Sequence, residues 1–425
     1  MISKQHRNLW KYSQLNGHIP TLDNDIQTDL LVVGGGFTGC SASLEAARSG
    51  ADVVLLEANS IAFGGSGRNV GLVNAGLWLP PNDIVEILGQ TDGARLIETL
   101  GTAPDEVFEI IARERISCDA VRNGTLHLAH NSTAFRNLKE RFRQGSLACA
   151  KLRLLDSEET IERTGSNAFF GALFDPRAGT IQPLAYCQGL ADAAIAEGAS
   201  FYQNSSVTNL HHDGSVWIAR VNGSEVRAKN ILIATNAYNT FIRGAPQPEF
   251  VSVSYSQFAT KPLSPKQLVR ILPGGEGCWD TALVMTSLRL DRDGRVVIGG
   301  MGNSDGLGAV VHKKWAYRKL KQIYPELAGL EFQHCWSGRI AMTSDHIPRI
   351  LSFGPNAFSV FGYSGRGIGP GTVFGKRAAR ALLFGEVDAL PISITQESRE
   401  AFRGIRTTYY ELGSIIYHAA RPSPI

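Results

Sequence analysis

The segment Asp29 to Gly39, DLLVVGGGFTG, constrains this chain more than any other. Its apolar run is too short for a helix and is closed by three glycines, so it reads as a buried parallel strand entering a tight turn. Helix formers follow from Thr38 to Gly50, and ADVVLLEA gives a second buried strand that ends at Glu57 and Ala58. Within this βαβ unit Gly34, Gly36 and Gly39 spell GxGxxG. The first glycine permits the turn, the second lets a pyrophosphate approach the backbone, and the third lets helix pack on strand, while the helix N-terminus faces the phosphate charge. Glu57 lies where a carboxylate can accept hydrogen bonds from the ribose of an adenosine, and its charge disfavours a 2′-phosphate.

That fingerprint does not separate a nicotinamide from a flavin dinucleotide. The next stretch, GGSGRNVG at 64–71, sets Ser66, Arg68 and Asn69 among glycines, the composition of a loop that contacts pyrophosphate and then lies along a flavin. Trp336-Ser337-Gly338-Arg339 and Thr343-Ser344-Asp345 precede GYSGRGIGPG at 362–371, which feeds a helix expected at 372–384. The positive end of that helix suits the N1–C2=O edge, where reduced flavin is negative.

Composition narrows the classes. The chain has 425 residues, 43% of them apolar, with 42 basic against 39 acidic side chains, so there is no electrostatic footprint for nucleic acid. Six cysteines are scattered singly, with no histidine clustering at ligand spacing, which predicts a reduced protein with no metal site. Residues 1–20 show no leader-like apolar core and no later stretch is long enough to span a membrane, so a cytoplasmic protein is expected, with the tail around Ile415, Ile416 and Tyr417 packed on the body or touching a membrane or partner.

Hydrophobic spacing predicts one helical region at 84–116 and helices at 183–197 and 312–323. Strands are expected at 124–130, 200–203, 215–221, 226–235, 250–260, 282–290, 295–300 and 357–363, with DRDG as a hairpin turn. Strands that return to helices late in the chain suggest an α/β portion interleaved with an α+β portion.

Taken together, DLLVVGGGFTGCSAS, LLEA, GGSGRNVG, IATNAY, WSGRIAMTSDHIP and GYSGRGIG resemble the FAD-dependent amine and amino-acid oxidoreductases of the D-amino-acid oxidase superfamily, near its glycine, sarcosine and γ-glutamylputrescine oxidases. The stretches GGSGRNVGLVNAG, GTLHLAHN, DPRAGTIQP, CWDT and YYELGSIIYHA look most like the L-pipecolate oxidases of that family. The resemblance implies a Rossmann-like FAD-binding domain at 28–83, 170–245 and 335–390, and a substrate domain built on an antiparallel sheet at 84–169 and 246–334. Residues 391–425 form a C-terminal extension.

It further implies that Gly34, Gly36, Phe37, Thr38 and Gly39 hold the pyrophosphate and that Glu57 and Ala58 hold the adenosine ribose. Ser66, Arg68, Asn69 and Val70 would meet the pyrophosphate and flavin edge, Val207 would pair with adenine, and Thr235 and Asn236 would form the turn beside the cofactor. Trp336, Gly338, Gly365, Arg366, Gly367, Ile368 and Gly369 would face the flavin. Cys335 is out of register with the cysteine of the covalently flavinylated members, so FAD is expected to be non-covalent. Ile340 falls where glycine oxidases carry their carboxylate-binding arginine, which leaves the anchor open.

The implied reaction is hydride transfer from an amine carbon to the flavin, with O₂ or a respiratory-chain component as final acceptor. The substrate is expected to be a secondary amino acid, foremost L-pipecolate. The alternative is a primary amine such as a γ-glutamyl polyamine, or another small amino acid. Arg339, Arg366 and then Arg289 are candidates to bind a carboxylate bidentately. Tyr255, Trp279 and Tyr363 are candidates for aromatic walls. His127, His334 and His346 read as structural.

Overall fold

The computed structural model describes residues 8–10 and 17–420, so the expectation about a leader falls partly outside the described residues. Parallel strands run in spatial order Ala357–Phe361, Ser224–Ile233, Ile26–Val33, Val53–Leu56 and Ser200–Tyr202. Arg349–Gly354 extends one edge antiparallel. Leu30, Val32 and Leu55 point toward the helices Phe37–Arg48, Pro183–Ala196 and Ile368–Phe384. Leu31, Val33, Val54 and Leu56 face the other way, against an antiparallel meander formed by Val207–His212, Trp217–Val221 and Ser224–Ile233. Both faces are covered, which is why these strands read as unbroken apolar runs.

A second sheet is ordered Phe332–Met342, Val251–Thr260, Val296–Met301, Ser287–Leu290, Gly277–Asp280, Thr125–Leu128, Ala172–Asp175 and Arg153–Leu155. Its pairs are antiparallel except Gly277–Asp280 on Thr125–Leu128. Period two divides its faces. Leu126, Leu128, Phe258, Cys278 and Ile298 pack with Trp315 and Leu320 of the helix Ala309–Ile323. His127, Tyr255, Gln257 and Trp279 point to the opposite face, where the functional cavity lies. The fold is therefore the expected α/β dinucleotide-binding layer interleaved with an α+β layer on a mostly antiparallel sheet.

Several expectations need correction. Strands Ala172–Asp175 and Phe332–Met342 belong to the second sheet, whereas the resemblance places 170–245 and 335–390 in the dinucleotide-binding portion. The helical region 84–116 is two helices, Pro81–Gly101 and Ala103–Arg113, the first interrupted at Gly89 with φ 77°. Helices Ser132–Leu147 and Ser157–Thr164 were not foreseen, although the second carries a sequence-readable capping box, Asp156 with Glu159. Strands Val207–His212, Gly277–Asp280, Phe332–Met342 and Arg349–Gly354 were also missed.

The helix expected at 372 begins at Ile368, because its glycines serve packing rather than a turn. A Cβ at Gly375 would collide with the carbonyl of Thr38, and one at Gly371 would sit 3.2 Å from Phe37 Cβ. Two helices from opposite ends of the chain thus meet backbone to backbone.

The extension folds as a helix, Arg403–Ala420, against the strand Val251–Thr260 and the helix Ala309–Ile323. No helix among the described residues is long and apolar enough to cross a membrane. The attachment centres on two buried imidazoles, with His312 Nδ1 2.7 Å from His418 Nδ1 and the His418 ring stacked on Trp315. Such a bond needs one of the two rings to accept through an unprotonated nitrogen, so it cannot survive with both rings protonated. Burial pushes His312 down to about 4 and His418 to about 3. A detached histidine binds protons near 6.5, so attachment is intact above that pH and weakens progressively as pH falls toward the two depressed values. Proteolytic cleavage within 390–405 should therefore accelerate between about pH 7.5 and about pH 4.5. A rate that tracks only the protease's own pH dependence would contradict this.

Candidate active site

The first wall of the cavity grows from the turn after Ile26–Val33. Gly34 sits at φ 110°, and a Cβ there would lie 3.0 Å from the Ala234 carbonyl, so only glycine allows the approach. A Cβ on Gly39 would overlap the Gly34 carbonyl oxygen, and one on Gly36 would lie 2.9 Å from Ser66 Oγ. The Phe37 N–H donates to Ser66 Oγ at 3.0 Å. The Glu57 carboxylate accepts the N–H groups of Gly35 and Asn59, each at 2.8 Å, while burial raises its affinity for a proton. Thr38, Ala58 and Val207 line the same end.

The loop 64–71 is held by its own side chains. Asn69 donates to the carbonyls of Gly65 and Ser66 at 2.9 Å and accepts the Gly71 N–H at 2.8 Å. Arg68 donates through Nε to the Phe63 carbonyl at 2.8 Å and lies over the Phe63 ring. Ser66, Arg68, Asn69 and Val70 all line the cavity, as do Thr235, Asn236, Gly338, Gly365, Gly367 and Ile368 from the far side. Asn236, at φ 43°, accepts the Gly362 N–H and ties this wall to the turn after Ala357–Phe361.

Four residues expected at the cofactor are not in the lining. Gly39 is beneath the turn and acts through packing. Trp336 lies beneath the loop 64–71, donating from Nε1 to the Arg68 carbonyl at 2.9 Å and packing edge-on against Trp10. Gly369 is pressed against Ala103. Arg366 is buried behind the wall. Cys335 packs with the core around Phe258, on the sheet face turned away from the cavity.

The cavity has a volume of about 750 Å³ and continues between the two sheets. At that end Tyr255, Trp279, Trp78, Met285 and Gln257 line it. Tyr255 donates its hydroxyl to Ser287 Oγ at 3.2 Å, and its burial raises its pKa. Trp279 is stacked on His127, ring centroids 3.4 Å apart, and meets Trp78 edge-on at 4.8 Å. Tyr363 borders the cavity, yet its hydroxyl is bound to Thr38 Oγ1 at 2.7 Å, so it belongs to the cofactor-side wall.

The candidate arginines separate clearly. Arg289 is buried outside the lining and donates to the carbonyls of Ile181, Val70 and Gly71 at 2.6, 3.2 and 3.3 Å. Burial lowers its pKa to about 10. Arg366 donates to the Ala75 carbonyl at 3.0 Å behind the Trp78 and Trp279 rings, and burial beside Arg141 lowers it to about 9. Neither reaches the cavity. Arg339 does line it, but at an exposed position, with its guanidinium 4.6 Å from the Tyr238 ring centroid.

Sequence reasoning missed Trp78, Tyr238, Gln257 and Tyr410 as lining residues, and it read His127 and His346 as structural although both line the cavity. His334 does stay outside the lining. His127 had a readable signal: in TLHL it alternates with two core leucines and so takes the opposite face. Enclosure keeps its pKa well below the ordinary value, and its Nδ1 has no hydrogen-bond partner. The pair Asp280 and Lys319, 3.2 Å apart, was also unforeseen.

Comparison with known proteins agrees with this geometry. The family model described as FAD dependent oxidoreductase matches residues 29–381. The γ-glutamylputrescine oxidoreductase of Escherichia coli K12 is 30% identical over 96% of this chain and 98% of its own length. A probable oxidoreductase, OrdL, of Rhizobium meliloti is 28% identical over 86% of this chain and 85% of its own. Among solved structures, glycine oxidase from Geobacillus kaustophilus superposes with a TM-score of 0.72 at 18% identity, covering 88% of this chain and all of that one. L-proline dehydrogenase from P. horikoshii does so at 0.68 and 16%, covering 93% and 99%. A glycine cradle opening into a cavity between two sheets, and a family match over most of the chain, carry one conclusion: this protein belongs to the FAD-dependent oxidoreductases of the D-amino-acid oxidase family.

Proposed function

We propose that this enzyme oxidises the carbon–nitrogen bond of an aliphatic amine whose anionic group, where it has one, is remote from the reacting nitrogen, as in a γ-glutamyl polyamine. The observation that carries this reading is the placement of the arginines. Among the described residues only Arg68, on the cofactor side, and Arg339, at the exposed rim, line the cavity. An α-carboxylate beside the reacting nitrogen would enter the chamber of Tyr255, Trp279 and Trp78 without a guanidinium partner, a costly burial for a charge. The E. coli relative, whose name gives γ-glutamylputrescine as its substrate, supports the same alternative better than the L-pipecolate reading.

The residues fit FAD. The glycine turn leaves room that a Cβ at Gly36 would fill, its helix N-terminus offers N–H groups to a pyrophosphate, and Glu57 presents a carboxylate at the ribose position. FAD supplies the acceptor for the two electrons and the hydrogen removed from the amine carbon. The protein's part is to position and desolvate. The aromatic walls favour the neutral amine over the ammonium ion, because burial penalises the charged form. His127 remains an uncharged imidazole at neutral pH and adds no repulsion toward a cationic substrate on entry. Arg339 can meet a carboxylate on the far end of an extended substrate.

Purified protein should be yellow and release FAD on denaturation by acid. Gly36→Val should lower the FAD retained through gel filtration, because the added carbons press on Ser66 Oγ. A valine variant with full, tightly held FAD would show that the pyrophosphate does not use this turn.

Anaerobic mixing with a panel of amines tests the substrate reading. A γ-glutamyl diamine should bleach the flavin faster than L-pipecolate does, and the reverse order would restore the cyclic amino acid as substrate.

Arg339→Met should raise KM for a carboxylate-bearing amine about two- to fivefold with kcat nearly unchanged, the scale of an exposed ion pair. A loss of a thousandfold, at normal FAD content, would instead mark Arg339 as a buried anchor next to the reacting centre.

A further inference from the structure

We propose that the outer face of the helix Arg403–Ala420, together with the lysines of the adjoining helix Ala309–Ile323, docks on an anionic lipid membrane. The observation is a seam of large apolar side chains turned to solvent. Phe402, Ile405, Tyr409, Leu412 and Ile416 are each between 54% and 76% exposed. Ile405, Tyr409, Leu412 and Ile416 recur at spacings of three and four, so they form one stripe along the helix, with Phe402 just before its start. The buried side of the same helix is marked by Ser414 and His418. This amphipathic helix therefore has its larger apolar side chains facing outward, the reverse of a helix whose apolar face is used up by its own core.

Charge decides between the occupants of such a stripe. The helix Arg403–Ala420 has one acidic residue, Glu411, which lies about 200° around the axis from Tyr409 and so away from the stripe. The helix Ala309–Ile323 has five basic residues and no acidic one. Of these, Lys313, Lys314, Arg318 and Lys321 are exposed, with Lys314 and Lys321 on the side away from His312. Both helices pack against the strand Val251–Thr260 and against each other, so the lysines belong to the helix adjoining the stripe. A symmetric pairing with a second copy would bring each lysine-rich helix toward its own equivalent, with no acidic residue to answer it. An apolar stripe with uncompensated lysines beside it matches the boundary between acyl chains and anionic headgroups. The helix cannot span the bilayer, so it would lie in the surface plane. Tyr410 of the same helix and the exposed Leu283 both line the cavity, so the docked face would border its mouth.

The test is co-sedimentation of the FAD-loaded enzyme with vesicles of phosphatidylcholine alone or mixed with phosphatidylglycerol. The wild-type protein should pellet with the mixed vesicles and be released in part by salt. The double variant Leu412→Glu with Ile416→Glu should bind about a hundredfold more weakly, from the loss of two apolar side chains from the lipid phase. Its flavin spectrum and turnover should stay unchanged, because neither residue touches the cavity. A second variant, Lys313→Glu with Lys314→Glu, should lose the preference for phosphatidylglycerol while leaving the apolar stripe whole. Wild-type protein that remains in the supernatant with both kinds of vesicle would overturn the proposal. So would a dimer in solution that the Leu412→Glu, Ile416→Glu variant converts to monomer, since that assigns the stripe to a second copy.

Discussion

The backbone of helix Phe37–Arg48 lies against the turn that precedes it and against helix Ile368–Phe384 at a distance that excludes a methyl group. Gly39 meets the Gly34 carbonyl and Gly375 meets the Thr38 carbonyl. Ser41 donates to the Thr372 carbonyl at 2.7 Å across 331 positions of sequence. This contact fixes where the first helix begins, and with it the direction of its unpaired N–H groups. It also brings the turn 362–367 opposite the cradle, closed by the bond between Thr38 and Tyr363. A cavity suited to a dinucleotide follows from these close approaches, since any side chain at the glycines would hold the walls apart.

The second constraint is electrostatic. Arg289 and Arg366, buried near the cavity, and the half-buried Arg141 are bound to backbone carbonyls: Arg141 donates to those of Leu77, Trp78 and Leu79, and the other two to carbonyls named above. These cations brace the loops that carry Val70, Trp78 and Gly71. Trp78 and Trp279 stand between Arg366 and the cavity, each ring facing the guanidinium. The result is an aromatic chamber whose positive charge lies behind its walls. Of the arginines, Arg68 and Arg339 line the cavity, Arg339 at an exposed position.

The second sheet joins these features through its pleat. Alternate residues of Val251–Thr260 and Gly277–Asp280 build either the core under helix Ala309–Ile323 or the aromatic end of the cavity. The helix Arg403–Ala420 lies along the edge of that arrangement, contributing Tyr410 to the cavity and an apolar stripe to solvent. A buried histidine pair attaches it to the helix Ala309–Ile323.

The local chemistry of the cofactor end was legible from residue order alone. A strand, three spaced glycines, a helix and an acid must form one compact unit because each acts on its near neighbours, and the loop 64–71 is likewise held by bonds of short sequence separation. Legibility failed where a residue's role depends on distant partners. Arg289 and Arg366 looked like free guanidiniums, and only the tertiary structure supplied the carbonyls and tryptophans that engage them. His127 and Trp78 became cavity residues because strands and loops far apart in the chain converge on them. The strand Phe332–Met342 was missed because its stability comes from pairing with Val251–Thr260 rather than from its own apolar alternation. The sequence by itself determined the dinucleotide cradle and the family, since both rest on local spacing. Tertiary structure alone decided which cations line the cavity and which surface stays apolar, because burial and charge pairing are properties of neighbours in space.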